Sequence, residues 1–243
     1  MKTIHLPQMN IRYWLAITMA SVFGTNLGDL YAHESGLGIV KGLAVLAAFA
    51  AIAFLLERRD DRVHAAWYWL AIVIIRTGAT NIADFLAFRV RVPGVLLGAG
   101  LVLLLAVLGW MTRGRWAKPV VSGSAGTPDT HALYWAAMLT AGVLGTVLGD
   151  DASHAIGQGW ASVLLGGALA LVLVVARGTF ATAMGYWAAI GLARTAGTAM
   201  GDWLAENHLL NIGLPLATLI TGMVFVIVAG WPRPRPAAAA VPA

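Results

Sequence analysis

The chain has 243 residues, of which 59% are hydrophobic and only 11% charged, against roughly 25% charged in an ordinary soluble domain. A water-soluble globule cannot bury that much apolar surface, which excludes a soluble enzyme and points to a protein bathed in lipid. The absence of cysteine removes disulfides, thiolate metal sites and thiol nucleophiles. The net charge of +5 is spread between apolar stretches instead of gathered on one face, so nucleic acid is not an expected partner.

A membrane-crossing helix needs about 20 apolar residues. Eight such stretches follow one another, at about 12–31, 36–56, 65–87, 93–112, 132–151, 158–177, 182–204 and 212–231. None alternates apolar and polar residues as the strands of a membrane barrel do. The expected fold class is therefore all-α, a polytopic bundle of eight transmembrane helices. The first stretch, with Lys2 ahead of it, has the form of a secretory signal, but its pattern recurs later in the chain and marks it as a retained span. Residues 1–112 form a first half with helices 1–4, and residues 132–231 a second half with helices 5–8. Between them, 113–131 is rich in Gly, Ser and basic residues and reads as a cytoplasmic linker. The end of the chain, 232–243, alternates prolines and then runs in alanine, and reads as a disordered cytoplasmic tail. With the amino terminus inside, only Arg89 and Arg91 among the loop cations lie outside, so both termini are expected in the cytoplasm.

One pattern recurs four times at constant spacing: Tyr-Trp, nine residues, Gly or Ala, Thr, two residues, Gly or Ala, Asp. It runs from Tyr13-Trp14 to Gly24-Thr25 and Gly28-Asp29, and from Tyr68-Trp69 to Ala79-Thr80 and Ala83-Asp84. It returns from Tyr134-Trp135 to Gly145-Thr146 and Gly149-Asp150, and from Tyr186-Trp187 to Gly197-Thr198 and Gly201-Asp202. Each copy opens an odd-numbered span. An even number of spans separates the copies, so all four point the same way: four parallel two-helix repeats. A second period groups them into two pseudo-twofold halves. Asp29 and His33 match Asp150 and His154, whereas Arg76 and Arg194 mark only the even copies, where the odd ones have Ser21 and Gly142.

This pattern resembles a bacterial family of multipass inner-membrane proteins built of four tandem two-helix repeats of unknown function, each with a Trp and a Gly-Thr/Gly-Asp signature. The resemblance covers nearly the whole membrane region and implies the fold and a bacterial inner-membrane location, with no activity attached. The second copy departs from it with Ala79 and Ala83, at positions of close helix contact.

At the start of each odd span, Tyr-Trp is expected at the membrane interface, with the ring bodies in lipid and the polar tips at the headgroups. Small residues four apart, such as Gly24 and Gly28, allow close helix approach. The neighbouring Thr25 and Asp29, Thr80 and Asp84, Thr146 and Asp150, and Thr198 and Asp202 then line the contact seam and face protein. Sixteen residues separate Tyr from Asp, about 24 Å along a helix, which sets the four carboxylates at one height near the far edge of the hydrocarbon. Around a common axis they would form an acidic ring that concentrates cations. The alternative is that each locks a neighbouring helix pair. Arg76 and Arg194 lie about 12 Å into the membrane, where a guanidinium must face the interior, most simply in an ion pair. His33 and His154 follow an Asp by one turn, a spacing that suits proton relay or a metal ion such as Zn or Mn.

No GxSxG, Walker, dinucleotide or HExxH motif occurs, and no enzyme activity or resident cofactor is expected beyond a metal ion at the histidines. The leading expectation is a secondary transporter or channel for a small ion, a divalent cation exchanged for protons. Its outer site would be Asp29, Asp84, Asp150 and Asp202, and its central gate Arg76 and Arg194. Its partners are the lipid bilayer and that ion, with self-association left open. Three alternatives stand beside it: a small carboxylate or phosphate held by the arginines, a non-transporting scaffold or sensor, and a redox protein with haem or metal on the two histidines.

Overall fold

The computed structural model describes residues 6–59, 65–117, 127–175 and 182–231. The tail assigned to 232–243 lies outside them, as do Lys2, Arg62, Lys118, Arg177, Arg233 and Arg235, on which part of the orientation argument rests. The fold is all-α. Among the described residues, the eight long helices are α1 (Ile11–Glu34), α2 (Gly38–Arg59), α3 (Ala66–Asp84), α4 (Gly94–Thr112), α5 (Ala132–Ile156), α6 (Gln158–Val175), α7 (Ala183–Glu206) and α8 (Gly213–Gly230). Each falls within a few residues of an expected span. Local chemistry sets several of the ends. Asn10 and Thr182 cap α1 and α7 by accepting the backbone N–H groups of Tyr13 and Gly185. Gly157, at φ +85°, stops α5 in a conformation open to glycine and lets α6 begin one residue later. The linker carries the only strand pairing among the described residues, with β1 (Trp116–Ala117) antiparallel to β2 (Thr127–Pro128).

Among the described residues, six helices are long and apolar enough to cross a membrane: α2, α3 with the π-helical turn Phe85–Arg89 that continues it, α4, α5, α6 and α8. This identifies a membrane protein. At 24 residues each, α1 and α7 are long enough but too rich in Gly, Thr and charged residues to meet the same measure. Both lie inside the bundle, where they pack on one another and on their ring neighbours α3 and α5.

The odd helices form a closed ring: α1 packs on α3 and α7, and α5 packs on α3 and α7. The even helices stand outside and show lipid-type side chains such as Phe49, Leu103, Leu164 and Ile227. Each even helix packs chiefly against the odd helix that follows it in sequence, α2 on α3, α4 on α5 and α6 on α7, and α8 closes the circle on α1. Arg12 seals that closure, with Nε and Nη2 donating to the carbonyls of Val228 and Ala229 at 3.1 and 2.9 Å.

The ring contacts use the small residues of the pattern, one helix to the next. The backbone at Gly24 lies against the Arg76 side chain, that at Gly145 against Arg194, and that at Gly197 against Ser21. In the remaining pair Ala79 takes the glycine's place, and its partner is Gly142, which has no side chain to obstruct it. The alanine of the second copy is thus matched by a glycine on the third. One tier along, Gly28 meets Thr80 and Gly149 meets Thr198 in the same way.

A Cβ on Gly145 would sit 2.7 Å from the backbone carbonyl carbon of Arg194, which cannot yield. Gly145→Ala is expected to cost about 1–3 kcal/mol or more from overpacking. Gly167→Ala, with nothing within 4 Å, should be neutral or gain up to about 1 kcal/mol of helix propensity. Unfolding midpoints of the two variants in detergent check this, and equal midpoints would contradict the packing.

Candidate functional site

Down the axis of the helix ring, residues four apart on each odd helix meet their counterparts in tiers. The first tier is the four tyrosines. Tyr13 and Tyr186 hydroxyls lie 2.6 Å apart, Tyr13 and Tyr68 2.9 Å, Tyr68 and Tyr134 2.8 Å, and Tyr134 and Tyr186 2.8 Å. Four O–H groups in a closed circle can each donate once and accept once, so all four are satisfied in either sense of rotation. All four side chains are at most 1% exposed. Each tyrosine ring also packs on its own tryptophan and on the tryptophan of the next copy, and the series closes from Tyr186 back to Trp14. The interfacial placement expected for Tyr-Trp is therefore corrected. Other copies supply the polar partners that headgroups would otherwise provide.

The second tier is apolar: Ile17, Ile72, Met138 and Ile190, all fully buried. The third holds Ser21, Arg76, Gly142 and Arg194, and the fourth Thr25, Thr80, Thr146 and Thr198, all buried. Arg76 joins these two tiers. Its Nη1 donates to Thr80 and Thr146 at 2.9 Å, its Nη2 to Thr25 and Thr198 at 2.5 and 2.6 Å, and its Nε to Ser21 at 3.2 Å. A guanidinium has five N–H donors, and here every one ends on a hydroxyl. The threonines are oriented to receive them. Thr25, Thr146 and Thr198 give their own protons to the carbonyls four residues earlier, which leaves oxygen lone pairs for the arginine. The ion pair expected for Arg76 is thus replaced by a neutral cage, and all four pattern threonines bind one side chain.

Arg194 leaves the same tier in the opposite direction. Its Nη2 reaches the sulfur of Met138 at 3.3 Å, while Nε and Nη1 have no hydrogen-bond partner. Turning the two guanidinium groups to opposite ends of the axis lowers their mutual repulsion.

The fifth tier is the aspartates, all half-buried. Asp29, Asp150 and Asp202 share the wall of a cavity of about 330 Å³ with His33, His154, Gln158 and Glu206. Asp84 is not on that wall, and its helix alone winds into a π turn directly after the acid. His33 and His154 are exposed and use Nδ1 on the carbonyls of Asp29 and Asp150. Among the described residues, no three His, Asp or Glu side chains converge as a metal cage. Gln158 was not singled out by the sequence. It donates to Glu206 at 2.5 Å across the cavity rim, and only the adjacency of α6 and α7 brings the two together.

Residues 12–62 and 185–235 match the model of a repeat of unknown function (DUF347), a tandem repeat, as the resemblance of the sequence implies. Each matched stretch contains one ring helix and the outer helix that follows it. No curated protein and no solved structure matches the chain.

Tyr134→Phe would open the tyrosine circle and leave Tyr68 and Tyr186 each short of one partner. A loss of about 1–3 kcal/mol is expected, the cost of buried groups left unsatisfied. Tyr31→Phe, which removes one partly buried bond to the Gly42 carbonyl, should cost about 1 kcal/mol or less. Denaturant unfolding in detergent compares the two, and an equal or smaller loss for Tyr134→Phe would show that the circle does not act as a unit.

Proposed function

We propose that the chain is a secondary transporter for a small ion in the bacterial inner membrane. All eight helices cross the bilayer, as four parallel two-helix repeats in two pseudo-twofold halves, with both termini in the cytoplasm. The observation that carries this reading is the polar column on the axis of a bundle whose outer faces are apolar. Ionisable groups inside a membrane are costly and are kept where an ion or proton must pass. The copy-to-copy contacts, repeated from α1 to α3 and round to α7 and α1, support the repeat plan. The polarity of α1 and α7 fits full spans that are shielded by their neighbours.

The carboxylate cavity is the entry site for a cation, a divalent metal ion exchanged for protons, with Asp29, Asp150 and Asp202 as its anionic wall and Asp84 beside it. Beyond the cavity the axis is shut three times over, by Arg76 in its cage, by the Ile17 tier and by the tyrosine circle. A column closed in this way favours a carrier that changes state over an open channel. It also leaves Arg76 no free donor to offer a carboxylate or phosphate, so an anion reading would have to rest on Arg194 alone. A second reading, a scaffold that moves nothing, draws support from the same closure, because the hydroxyl partners of Arg76 and of the tyrosines all come from within the protein.

Flux decides between the two. In vesicles reconstituted with the protein and loaded with a metal-sensitive dye, Mn²⁺ or Zn²⁺ uptake driven by a pH gradient is expected. The Asp29→Asn, Asp150→Asn double variant should fall to the level of empty vesicles. Unchanged flux in that variant would remove the acids from the mechanism, and no ion movement in the unaltered protein would favour the scaffold.

A further inference from the structure

Arg76 and Arg194 hold the same position in the repeat, eight residues beyond Tyr68 and Tyr186, and both are 0% exposed. Yet they are treated unequally. Arg76 has five hydroxyl partners, while Arg194 has a thioether and two idle nitrogens. The cage does not account for the difference, because each ring helix contributes one threonine and the set favours neither arginine.

The fifth hydroxyl distinguishes the two. Arg76 gives Nε to Ser21, the residue of the same tier on the preceding ring helix. For Arg194 the residue in that place is Gly142, which has no hydroxyl, and Nε of Arg194 is one of the two idle nitrogens. Gly142 is held to glycine by its neighbour, since a Cβ there would come 2.7 Å from that of Ala79. On the other side of the ring the arrangement is reversed, with Ser21 packed against Gly197. Two ways of solving one tight helix contact, Ala79 with Gly142 and Gly197 with Ser21, thus decide where the fifth acceptor stands.

We propose that the four-threonine cage is a single guanidinium-binding site for which Arg76 and Arg194 compete, that Ser21 awards it to Arg76, and that exchange of the two arginines is a second state of the core. Occupancy is exclusive. One guanidinium uses the threonine lone pairs that face the axis, and like charge turns the other guanidinium toward the tyrosine circle. In the second state Arg194 would enter the cage without an acceptor for Nε. Arg76 would turn toward Ile17, which stands where Met138 stands for Arg194 and offers no sulfur. The second state lacks these two contacts and is otherwise equivalent, the near balance that a bistable element needs. This inference concerns the core alone and does not depend on the transport reading.

The test is thermal unfolding of the full chain in detergent, with no flux measured. Arg194→Gln removes an unmatched charge and should leave the midpoint unchanged or raise it, whereas Arg76→Gln should lower it by several degrees. Ala79→Gly with Gly142→Ser clears space and builds the missing hydroxyl beside Arg194. Added to Arg76→Gln, this pair should restore most of the lost midpoint, and the recovery should vanish when Arg194→Gln is added as well. The proposal is overturned if the pair folds normally by itself yet gives no recovery, or if Arg194→Gln is as damaging as Arg76→Gln. Should the Ala79, Gly142 pair not fold, the comparison of the two arginine variants decides alone.

Discussion

Meeting all five donors of a buried guanidinium is a steep structural demand, and at Arg76 hydroxyls from all four ring helices meet it. Much of the architecture follows from that demand. A central arginine costs at least about 2.5 kcal/mol on insertion scales, and far more without partners. Hydroxyls on four different helices can converge on one group only if those helices stand at one height around one axis and approach closely. Close approach requires the absence of side chains at the crossing points, which is what Gly24, Gly145 and Gly197 provide. The small residues, the threonines and the arginine are in this sense one device, distributed over four segments of chain.

The tyrosine circle applies the same logic at the other end of the column. A single buried phenol needs a partner, and four related phenols at one level provide it for one another. The tryptophans that flank them alternate between own-copy and next-copy contacts, so the aromatic tier ties each helix to its successor and the last to the first. Between these two polar tiers, the isoleucines and Met138 exclude water. The carboxylate end differs. Asp29, Asp150 and Asp202 are half-buried on the wall of a cavity, with Gln158 and Glu206 hydrogen-bonded at its rim.

Perfect fourfold repetition would have placed four arginines, or none, in the third tier. The chain instead has Ser21, Arg76, Gly142 and Arg194, a twofold alternation that is itself broken between Ser21 and Gly142. This small departure has a large electrostatic consequence, because it satisfies one buried cation and leaves the other without its hydroxyls. The packing partners Ala79 and Gly197 show that the departure was accommodated sterically on both sides of the ring.

The sequence by itself determined the membrane setting, the eight helices with their ends to within a few residues, the fourfold pattern, and the inward direction of Thr25, Thr80, Thr146 and Thr198. These are properties of composition and of spacing along a single helix, which a linear text carries in full. It could not decide what those side chains meet. The lipid contact expected for Tyr13 and its equivalents and the ion pair expected for Arg76 are both replaced by hydroxyl partners, and these, Thr80 apart, stand on other copies 50 or more residues away. Only the tertiary structure decided which tiers close and which stay open, that Arg76 and not Arg194 holds the cage, and that Gln158 and Glu206 meet at the cavity rim. The physical reason is that a hydrogen bond between parallel helices depends on their relative height and rotation, and no spacing within one helix specifies either.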